Sequence, residues 1–244
     1  MVCKPSLKQA NSILPPVNMS MSSIDFLLPK LLDLEEMKRI QERVAKLVVR
    51  RDEIGELKTV AGCDVSFARG NQAFASCVVL DYKTLKPLRS KVVEVKVRFP
   101  YIPSFLAFRE LEPMLEALAG MDASLLMVGA HGFSHPRRAG LASHLGVILD
   151  KPTVGVAKSL LCGEAKQPAE KKGSVEWVVD GGEIIGAAVR VVEGKRPVYV
   201  SVGHKVSLET AIRIVLETTI NGPLPEPIVH AHKLATKAAR EKFG

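Results

Sequence analysis

Two short apolar runs flank a helical repeat in the middle of the chain. Ser124–Val128 and Thr153–Ala157 have the length and composition of buried strands. Between them, Leu141, Leu145 and Ile148 are spaced four and three residues apart, which places them on one face of a helix. A strand, a crossover helix and a second strand indicate a parallel strand pair with a right-handed connection.

Polar residues follow both of these predicted strands. His131 and His135 come after the first strand, Lys158 comes after the second, and Pro136 suits the first turn of the intervening helix. Ligands of parallel sheets bind beyond the carboxyl ends of the strands, so the three polar side chains predict a site at one rim. A helix-capping loop with a solvated lysine would give the same pattern.

An antiparallel meander is predicted before this unit. Three candidate strands, joined by short turns that include Arg69-Gly70-Asn71, cover Thr59–Ala68, Ala73–Asp81 and Leu88–Arg98. A helix that begins after Asp33 and ends near Arg51 precedes them, with one apolar stripe along its length. Its opposite face is basic, so that face could either contact a phosphate backbone or simply be exposed to solvent.

The pattern after Lys158 predicts a hairpin, a further strand and two helices. These elements cover Ser174–Val179, Ile184–Val192, Pro197–Val202, Leu208–Thr218 and Ile228–Phe243. The last helix is basic and suits either a polyanion contact or a soluble cap. Together the elements predict the α/β class, with a mixed sheet of an antiparallel meander plus parallel strands, flanked by helices.

Length, charge and cysteine usage narrow the class of protein. The 244 residues divide into a poorly ordered arm over residues 1–32 and one domain over residues 33–244. The net charge of +8 suits a polyanion partner. The four cysteines lack a CxxC spacing and indicate a reducing compartment. Neither a signal peptide nor an apolar run of the ~18 residues that span a bilayer is evident, so we expect a cytoplasmic protein with no membrane partner.

Asp64 is an unusual residue for its place in the sequence. It lies inside the apolar segment VAGCDVSF, where an unpaired carboxylate is costly to bury. Gly62 and Ser66 share its face of the strand and are small, which leaves room for a ligand. These features favour a functional carboxylate over a side chain that simply points into solvent.

The segment FPYIPSFLAFRELE carries two further candidates. Pro100 and Pro103 exclude a regular strand or helix across them, so Tyr101 is held on a stiffened turn. An exposed aromatic ring beside a basic surface can stack on bases or wedge between them, although a ring packed into the core would also fit. Glu110 is a second candidate carboxylate, but a glutamate near the start of a helix, here predicted to begin at Pro113, is common.

Five segments occur in an order that resembles a known family. They are VAGCDVSF, FPYIPSFLAFRE, HGFSHPRRAGLASHLGVILDKPTVGVAKS, SVGH and PEPIVHAH. Together they resemble endonuclease V, a deaminated-purine repair nuclease with a ribonuclease H-like fold, from about Leu34 to the C-terminus. The resemblance implies an Mg²⁺-dependent nuclease, with Mn²⁺ as a substitute, that nicks one strand 3′ to the lesion, one nucleotide beyond it. The implied partner is DNA containing deoxyinosine, or RNA containing inosine in some members, and we expect a monomer.

The resemblance also implies roles for individual residues. Asp64 and Glu110 match carboxylate metal ligands, Lys158 matches a lysine near the scissile phosphate, and His232 matches a histidine near the metal site. Tyr101 matches the wedge that fills the gap left by a flipped base. The positions implied to contact nucleic acid are Tyr101, Leu106, Gly132, His135, Leu141 and Leu161.

The chain departs from the family pattern at the metal site. The family has an aspartate, the third carboxylate of that site, where this chain has Gly129. Asp122 lies seven residues earlier and roughly 23 Å away along an extended strand, so it cannot replace the missing ligand. Smaller departures are Ser104, where a glycine is usual, and Val202, where a proline is usual. A backbone position that needs φ > 0 tolerates Ser104 badly.

Three hypotheses follow. The first is a metal-dependent endonuclease on inosine-containing nucleic acid, weakened by the loss of one ligand, since Mg²⁺ can keep several waters. The second is a nuclease-dead protein that binds the lesion through the same wedge and pocket. The third is a structural or protein-binding relative, which would show no preference for inosine.

Overall fold

Eight strands, numbered in chain order, form one sheet in the computed structural model, which describes residues 27, 29, 31–68 and 71–243. They are β1 (Thr59–Phe67), β2 (Gln72–Asp81), β3 (Pro87–Lys96), β4 (Leu125–Val128), β5 (Thr153–Ala157), β6 (Val175–Asp180), β7 (Glu183–Val189) and β8 (Val198–His204). Their order across the sheet is β3-β2-β1-β4-β5-β8-β7-β6.

The sheet is mixed, as the sequence predicts. β1, β2 and β3 form an antiparallel meander, β4 lies parallel to both β1 and β5, and β8, β7 and β6 extend the sheet in antiparallel fashion. The predicted turn residues Arg69 and Gly70 lie outside the described residues. The parallel strands β1, β4 and β5 are central. Every residue of β4 and β5 is buried, as are Val60–Cys63 of β1, so a site at their carboxyl ends rests on a rigid base.

Helices cover both faces of the sheet. They are α1 (Leu34–Leu47), α2 (Leu106–Leu118), α3 (Leu141–Leu149), α4 (Leu208–Glu217) and α5 (Glu226–Phe243). The first three helices share one hydrophobic cluster with the sheet, and α4 and α5 share the other. Successive β4 residues alternate between the clusters, with Leu126 and Val128 in the first and Leu125 and Met127 in the second, because strand side chains point to opposite faces.

Two predicted helix starts are wrong. α2 begins at Leu106 and continues through Pro113, whose ring is buried, so packing offsets the backbone hydrogen bond that a proline cannot donate. α3 begins at Leu141 rather than near Pro136, because residues 132–140 close a loop in which the Gly140 amide donates to the Gly132 carbonyl at 2.9 Å. The first correction places Glu110 inside a helix, and the second lengthens the loop beside the site.

Two described residues of the predicted N-terminal arm, Leu27 and Pro29, are buried in the domain. Leu27 packs in the first hydrophobic cluster, and its carbonyl accepts a hydrogen bond from His144 Nε2 at 2.8 Å. Residues 1–26, 28 and 30 of that arm lie outside the described residues. Across the part of the chain that is described, no helix is long and apolar enough to cross a membrane.

Candidate active site

A cavity of about 430 Å³ opens where the parallel strands β4 and β5 end. Its wall includes eight of the ten predicted site residues, namely Asp64, Tyr101, Leu106, His135, Leu141, Lys158, Leu161 and His232. Glu110 and Gly132 are not part of the wall. The predicted rim site therefore exists, and residues from five separate segments of the chain meet there.

Asp64 and His232 form the charged centre of the cavity. The strand carries Asp64 on the face covered by α5, where an added Cβ on Gly62 would lie 1.8 Å from the Pro227 carbonyl oxygen and where Ser66 bonds Thr236. His232 Nδ1 donates to Asp64 Oδ2 at 2.7 Å. Desolvation raises the pKa of Asp64, while the His232 hydrogen bond and the charge of Lys158 act in the opposite direction.

Glu110 is the second carboxylate of the site. It is half-buried on the second turn of α2, and desolvation together with the negative charge of Asp64 raises its pKa to about 8, against the opposing charge of Arg109. Two carboxylates that repel each other in a desolvated setting are stabilised by a nearby cation.

Gly129 lies directly beside the Asp64 carboxylate. A Cβ built on Gly129 would have Asp64 Oδ1 and Ile228 Cγ2 as its nearest neighbours, each at 3.5 Å, which is ordinary van der Waals contact. The backbone at Gly129 is not in the left-handed region, so a side chain there would carry no conformational strain. Asp122 is bound to Lys151 before the start of β4 and does not compensate for the missing carboxylate.

The donor atoms present suit a divalent cation. Asp64 and Glu110 offer the hard oxygen atoms that Mg²⁺ and Mn²⁺ prefer, and their raised pKa values mean that burial disfavours the charged carboxylates, which a bound cation would offset. Among the described residues, no group of three or more His, Cys, Asp and Glu side chains is placed to hold a metal ion. The two carboxylates would hold such an ion with water and substrate oxygens completing its shell.

Lys158 and His131 lie on two loops that are hydrogen-bonded to each other. Lys158 is exposed and follows β5 directly. His131 Nε2 donates to the Ser159 carbonyl at 2.9 Å and so ties the loop after β4 to the loop that carries Lys158. Desolvation lowers the pKa of His131, which keeps this imidazole neutral and leaves Lys158 as the cation of the wall.

The opposite part of the wall is apolar and carries Tyr101. The Tyr101 side chain is 64% exposed, which excludes the alternative that its ring is packed into the core. Leu106 is half-buried, Leu141 is buried and Leu161 is 42% exposed. An aromatic side chain at the mouth of an apolar recess, opposite a charged centre, is suited to a flat heteroaromatic ring attached to a phosphate chain.

Polar atoms of Gly132 and His135 already form hydrogen bonds within the protein. The Gly132 amide donates to Ser201 Oγ at 2.9 Å, and the segment that reaches the cavity is its neighbour Gly129–His131. His135 Nε2 donates to the Ser104 carbonyl at 3.0 Å, and its Nδ1 accepts from the Arg137 amide at 3.1 Å. A direct contact from either residue to a base would compete with these bonds.

Gln41 and Ser104 also line the cavity, and the sequence did not point to either as a site residue. Gln41 is fully buried on α1, four residues after Met37 and three before Val44. A polar side chain on the apolar stripe of a helix is a signal that it has a buried hydrogen-bond partner. The sequence signal for Ser104 was its departure from the family pattern, which has glycine at this position.

Several known proteins of one family are similar to this chain in sequence and in structure. Residues 42–233 match the sequence model described as Endonuclease V. An Endonuclease V from Roseiflexus sp. strain RS-1 is 43% identical over 205 residues, which cover 83% of this chain and 92% of the relative. The Endonuclease V structure from Streptomyces avermitilis is 33% identical with a TM-score of 0.82, covering 91% of this chain and 97% of that one.

A second solved structure contains nucleic acid. Endonuclease V from Ciona intestinalis, in complex with a 24mer DNA containing an inosine followed by a ribo-adenosine, is 32% identical to this chain with a TM-score of 0.75. The similarity covers 85% of this chain and 98% of that one.

Proposed function

The chain belongs to the Endonuclease V family, and on that premise we propose that it recognises hypoxanthine in DNA and nicks the same strand by metal-assisted hydrolysis. The nick is proposed to fall 3′ to the lesion, one nucleotide beyond it. The observation that carries the proposal is one cavity with two kinds of lining. Exposed Tyr101 with Leu106, Leu141 and Leu161 is called the apolar face, and Asp64, Lys158 and His232 are called the charged face.

The apolar face suits base recognition. A purine turned out of the stack needs a recess for its ring and a side chain that fills the gap it leaves. Leu106, Leu141 and Leu161 supply the recess, and Tyr101 is free to fill the gap because its ring is exposed at the same mouth. The solved complex of the Ciona relative with inosine-containing DNA supports this substrate class.

The charged face suits phosphodiester hydrolysis. Lys158 is placed to contact the scissile phosphate, and the bond from His232 holds the Asp64 carboxylate in one orientation. A divalent cation bound by Asp64 and Glu110 would supply charge neutralisation and a more acidic water. With two carboxylates instead of three, we propose that this cation is held weakly and that hydrolysis is slow.

Gly129 favours a second candidate function. If two carboxylates do not retain the cation, the wedge and pocket remain, and the protein binds the lesion without cutting it. Either function predicts a preference for inosine, whereas a purely structural relative predicts none.

Recognition is tested by competition binding. A single-inosine duplex and a matched duplex with adenine at the same position are titrated without divalent cation, and a single-stranded RNA pair is included because DNA and RNA remain open as substrates. We expect the inosine DNA to bind at least about tenfold more tightly, since base stacking and pocket contacts contribute on the order of 1–3 kcal/mol. Equal affinity for both duplexes would contradict the proposed function.

A further inference from the structure

The turn that directly follows Tyr101, closed by the Phe105 amide donating to the Ile102 carbonyl at 2.9 Å, contains a residue in an unfavourable conformation. Ser104 has φ = +64°, in the left-handed region that glycine adopts freely and other L residues adopt rarely. Such a conformation persists when surrounding contacts determine it, and Ser104 is exceptionally well bound.

Three donors converge on the Ser104 carbonyl oxygen. Gln41 Nε2 donates to it at 2.9 Å, His135 Nε2 at 3.0 Å and Arg137 Nη2 at 3.1 Å. The Ser104 hydroxyl adds a fourth bond, because its Oγ accepts from Arg137 Nη2 at 2.7 Å. The last bond depends on a serine and would be lost with glycine.

The donors are themselves joined. Arg137 Nε donates to Gln41 Oε1 at 2.6 Å, and the Arg137 guanidinium lies 4.4 Å from the centre of the Phe105 ring. Gln41 is fully buried and His135 is nearly so, which makes each unmade bond costly. Gln41, Ser104, His135 and Arg137 together are called the Ser104 clamp below.

The Ser104 clamp connects three separate parts of the molecule. Gln41 belongs to α1, Ser104 belongs to the turn that follows Tyr101, and His135 and Arg137 belong to the loop before α3. Tyr101 itself is 64% exposed, so its own ring contacts do little to fix its position. The position of the ring therefore depends on how firmly the backbone of its turn is held.

We propose that the Ser104 clamp is a positioning device that holds Tyr101 at the mouth of the cavity before nucleic acid binds. A side chain that is already in place loses less conformational entropy on binding, so the clamp strengthens insertion beside a base that leaves the stack easily. The expected gain in selectivity for inosine rests on the proposed function, whereas the fixed position of the turn does not. Ser104 and Gln41 are positioning residues, since they act through Tyr101.

The first test needs no nucleic acid. Trp177 is the single tryptophan of the chain, so Trp177→Phe with Tyr101→Trp places one fluorescent reporter on the turn. Time-resolved anisotropy should show a rigid reporter in this background and a distinctly more mobile one when Ser104→Gly or Gln41→Glu is added. Gln41→Glu keeps the acceptor for Arg137 but removes the donor to Ser104. Ser104→Ala, which loses only the hydroxyl, should fall between.

Asn71→Gly is the matched control. Asn71 also has positive φ, at 61°, and lies exposed outside the Ser104 clamp, so this variant relaxes a left-handed residue without touching the turn. Thermal unfolding of each variant checks that mobility does not come from general destabilisation. Unchanged anisotropy in Ser104→Gly and Gln41→Glu would overturn the proposal, whether or not the protein binds inosine.

The second test uses native Tyr101 and duplexes with 2-aminopurine beside the inosine. Ser104→Gly should lower the ratio of adenine-duplex to inosine-duplex Kd by about three- to tenfold and reduce the rise in 2-aminopurine fluorescence that reports unstacking. The affinity for the adenine duplex should stay constant, because Ser104→Gly removes no charged group that could contact phosphate. A mobile turn with an unchanged ratio would overturn the link to recognition. Absence of any inosine preference in the native chain would refute the proposed function instead.

Discussion

At the scale of single residues, we propose that position 129 determines how strongly the site can hold a cation. There is room there for a side chain, since Asp64 Oδ1 and Ile228 Cγ2 would lie 3.5 Å from an added Cβ. The neighbouring carboxylates Asp64 and Glu110 both have raised pKa values, so the site favours either protons or a cation. An aspartate at position 129 would add a carboxylate beside Asp64.

Gly129→Asp should therefore create a measurable response to divalent cation. In the native chain we expect about 1 mM Mg²⁺ to raise the Tm little, because a weakly bound ligand contributes little stability. In Gly129→Asp the same titration should raise the Tm by several degrees, on the order of 1–3 kcal/mol of linkage. Differential scanning calorimetry measures both.

Gly129→Asn is the control for that titration, because it has nearly the same shape without the charge. It should behave as the native chain does. If Mg²⁺ changed the Tm of all three proteins equally, position 129 would not take part in binding the cation.

At the scale of elements, α3 fixes the start of the described chain. His144 on α3 is fully buried, packs edge-on against Phe108 and donates from Nε2 to the Leu27 carbonyl at 2.8 Å. Its Nδ1 has no hydrogen-bond partner among the described residues. Desolvation lowers the pKa of His144 to about 4, since a proton on Nδ1 would place a buried unpaired charge there.

This histidine predicts a dependence of stability on pH. Between its ordinary pKa of 6.5 and about 4, the unfolded state binds the proton and the folded state does not. The stabilisation is therefore complete above pH 6.5 and is lost as the pH falls towards 4, by up to about 3 kcal/mol. His144→Gln, which keeps a side-chain N–H donor, should flatten this slope.

Urea unfolding across that pH interval measures the effect. Some slope should remain in His144→Gln, because desolvation also lowers the pKa of His135 to about 4. A slope identical to that of the native chain would mean that His144 titrates normally in the folded state.

The elements also show what the sequence could predict. Alternation and helical spacing were sufficient for the sheet. The expectation that Gly62 and Ser66 leave room for a ligand beside Asp64 is wrong, because the backbone of α5 fills that space at Gly62 and Ser66 bonds Thr236. The partners of His135 could not be predicted, because Ser104 lies 31 residues earlier and is brought close only by the fold. Gln41 was overlooked for the same reason, although its place on an apolar stripe was a usable signal.

At the scale of the whole molecule, the charge of +8 is expected to act through particular surfaces. α5 runs on from His232 with Lys233, Lys237 and Arg240 along one shallow groove. Lys237 in this groove is paired with Glu241 at 3.6 Å, and Lys38 of α1 is paired with Glu35 at 2.6 Å. A strand whose scissile phosphate lies near His232 would pass along the α5 groove.

The salt dependence of DNA affinity distinguishes the basic surface of α1 from the α5 groove. The slope of log K against log salt concentration should fall in magnitude by about 0.7–0.9 for each phosphate that a variant no longer neutralises, so Lys233→Ala and Arg240→Ala should each lower it. Lys38→Ala should leave the slope unchanged. If the α1 and α5 variants changed this slope equally, the nucleic-acid strand would not lie along the α5 groove.

The most direct test of the proposed metal site is nicking of a single-inosine duplex by the native chain, Gly129→Asp and Gly129→Asn, in Mg²⁺ and in Mn²⁺. We predict slow cleavage by the native chain, one nucleotide 3′ to the inosine, and an increase of at least about a hundredfold in Gly129→Asp, since a metal ligand is worth several kcal/mol in the transition state. Gly129→Asn should match the native rate. If Gly129→Asp cuts no faster than Gly129→Asn, the assignment of the metal site to Asp64, Glu110 and position 129 is wrong.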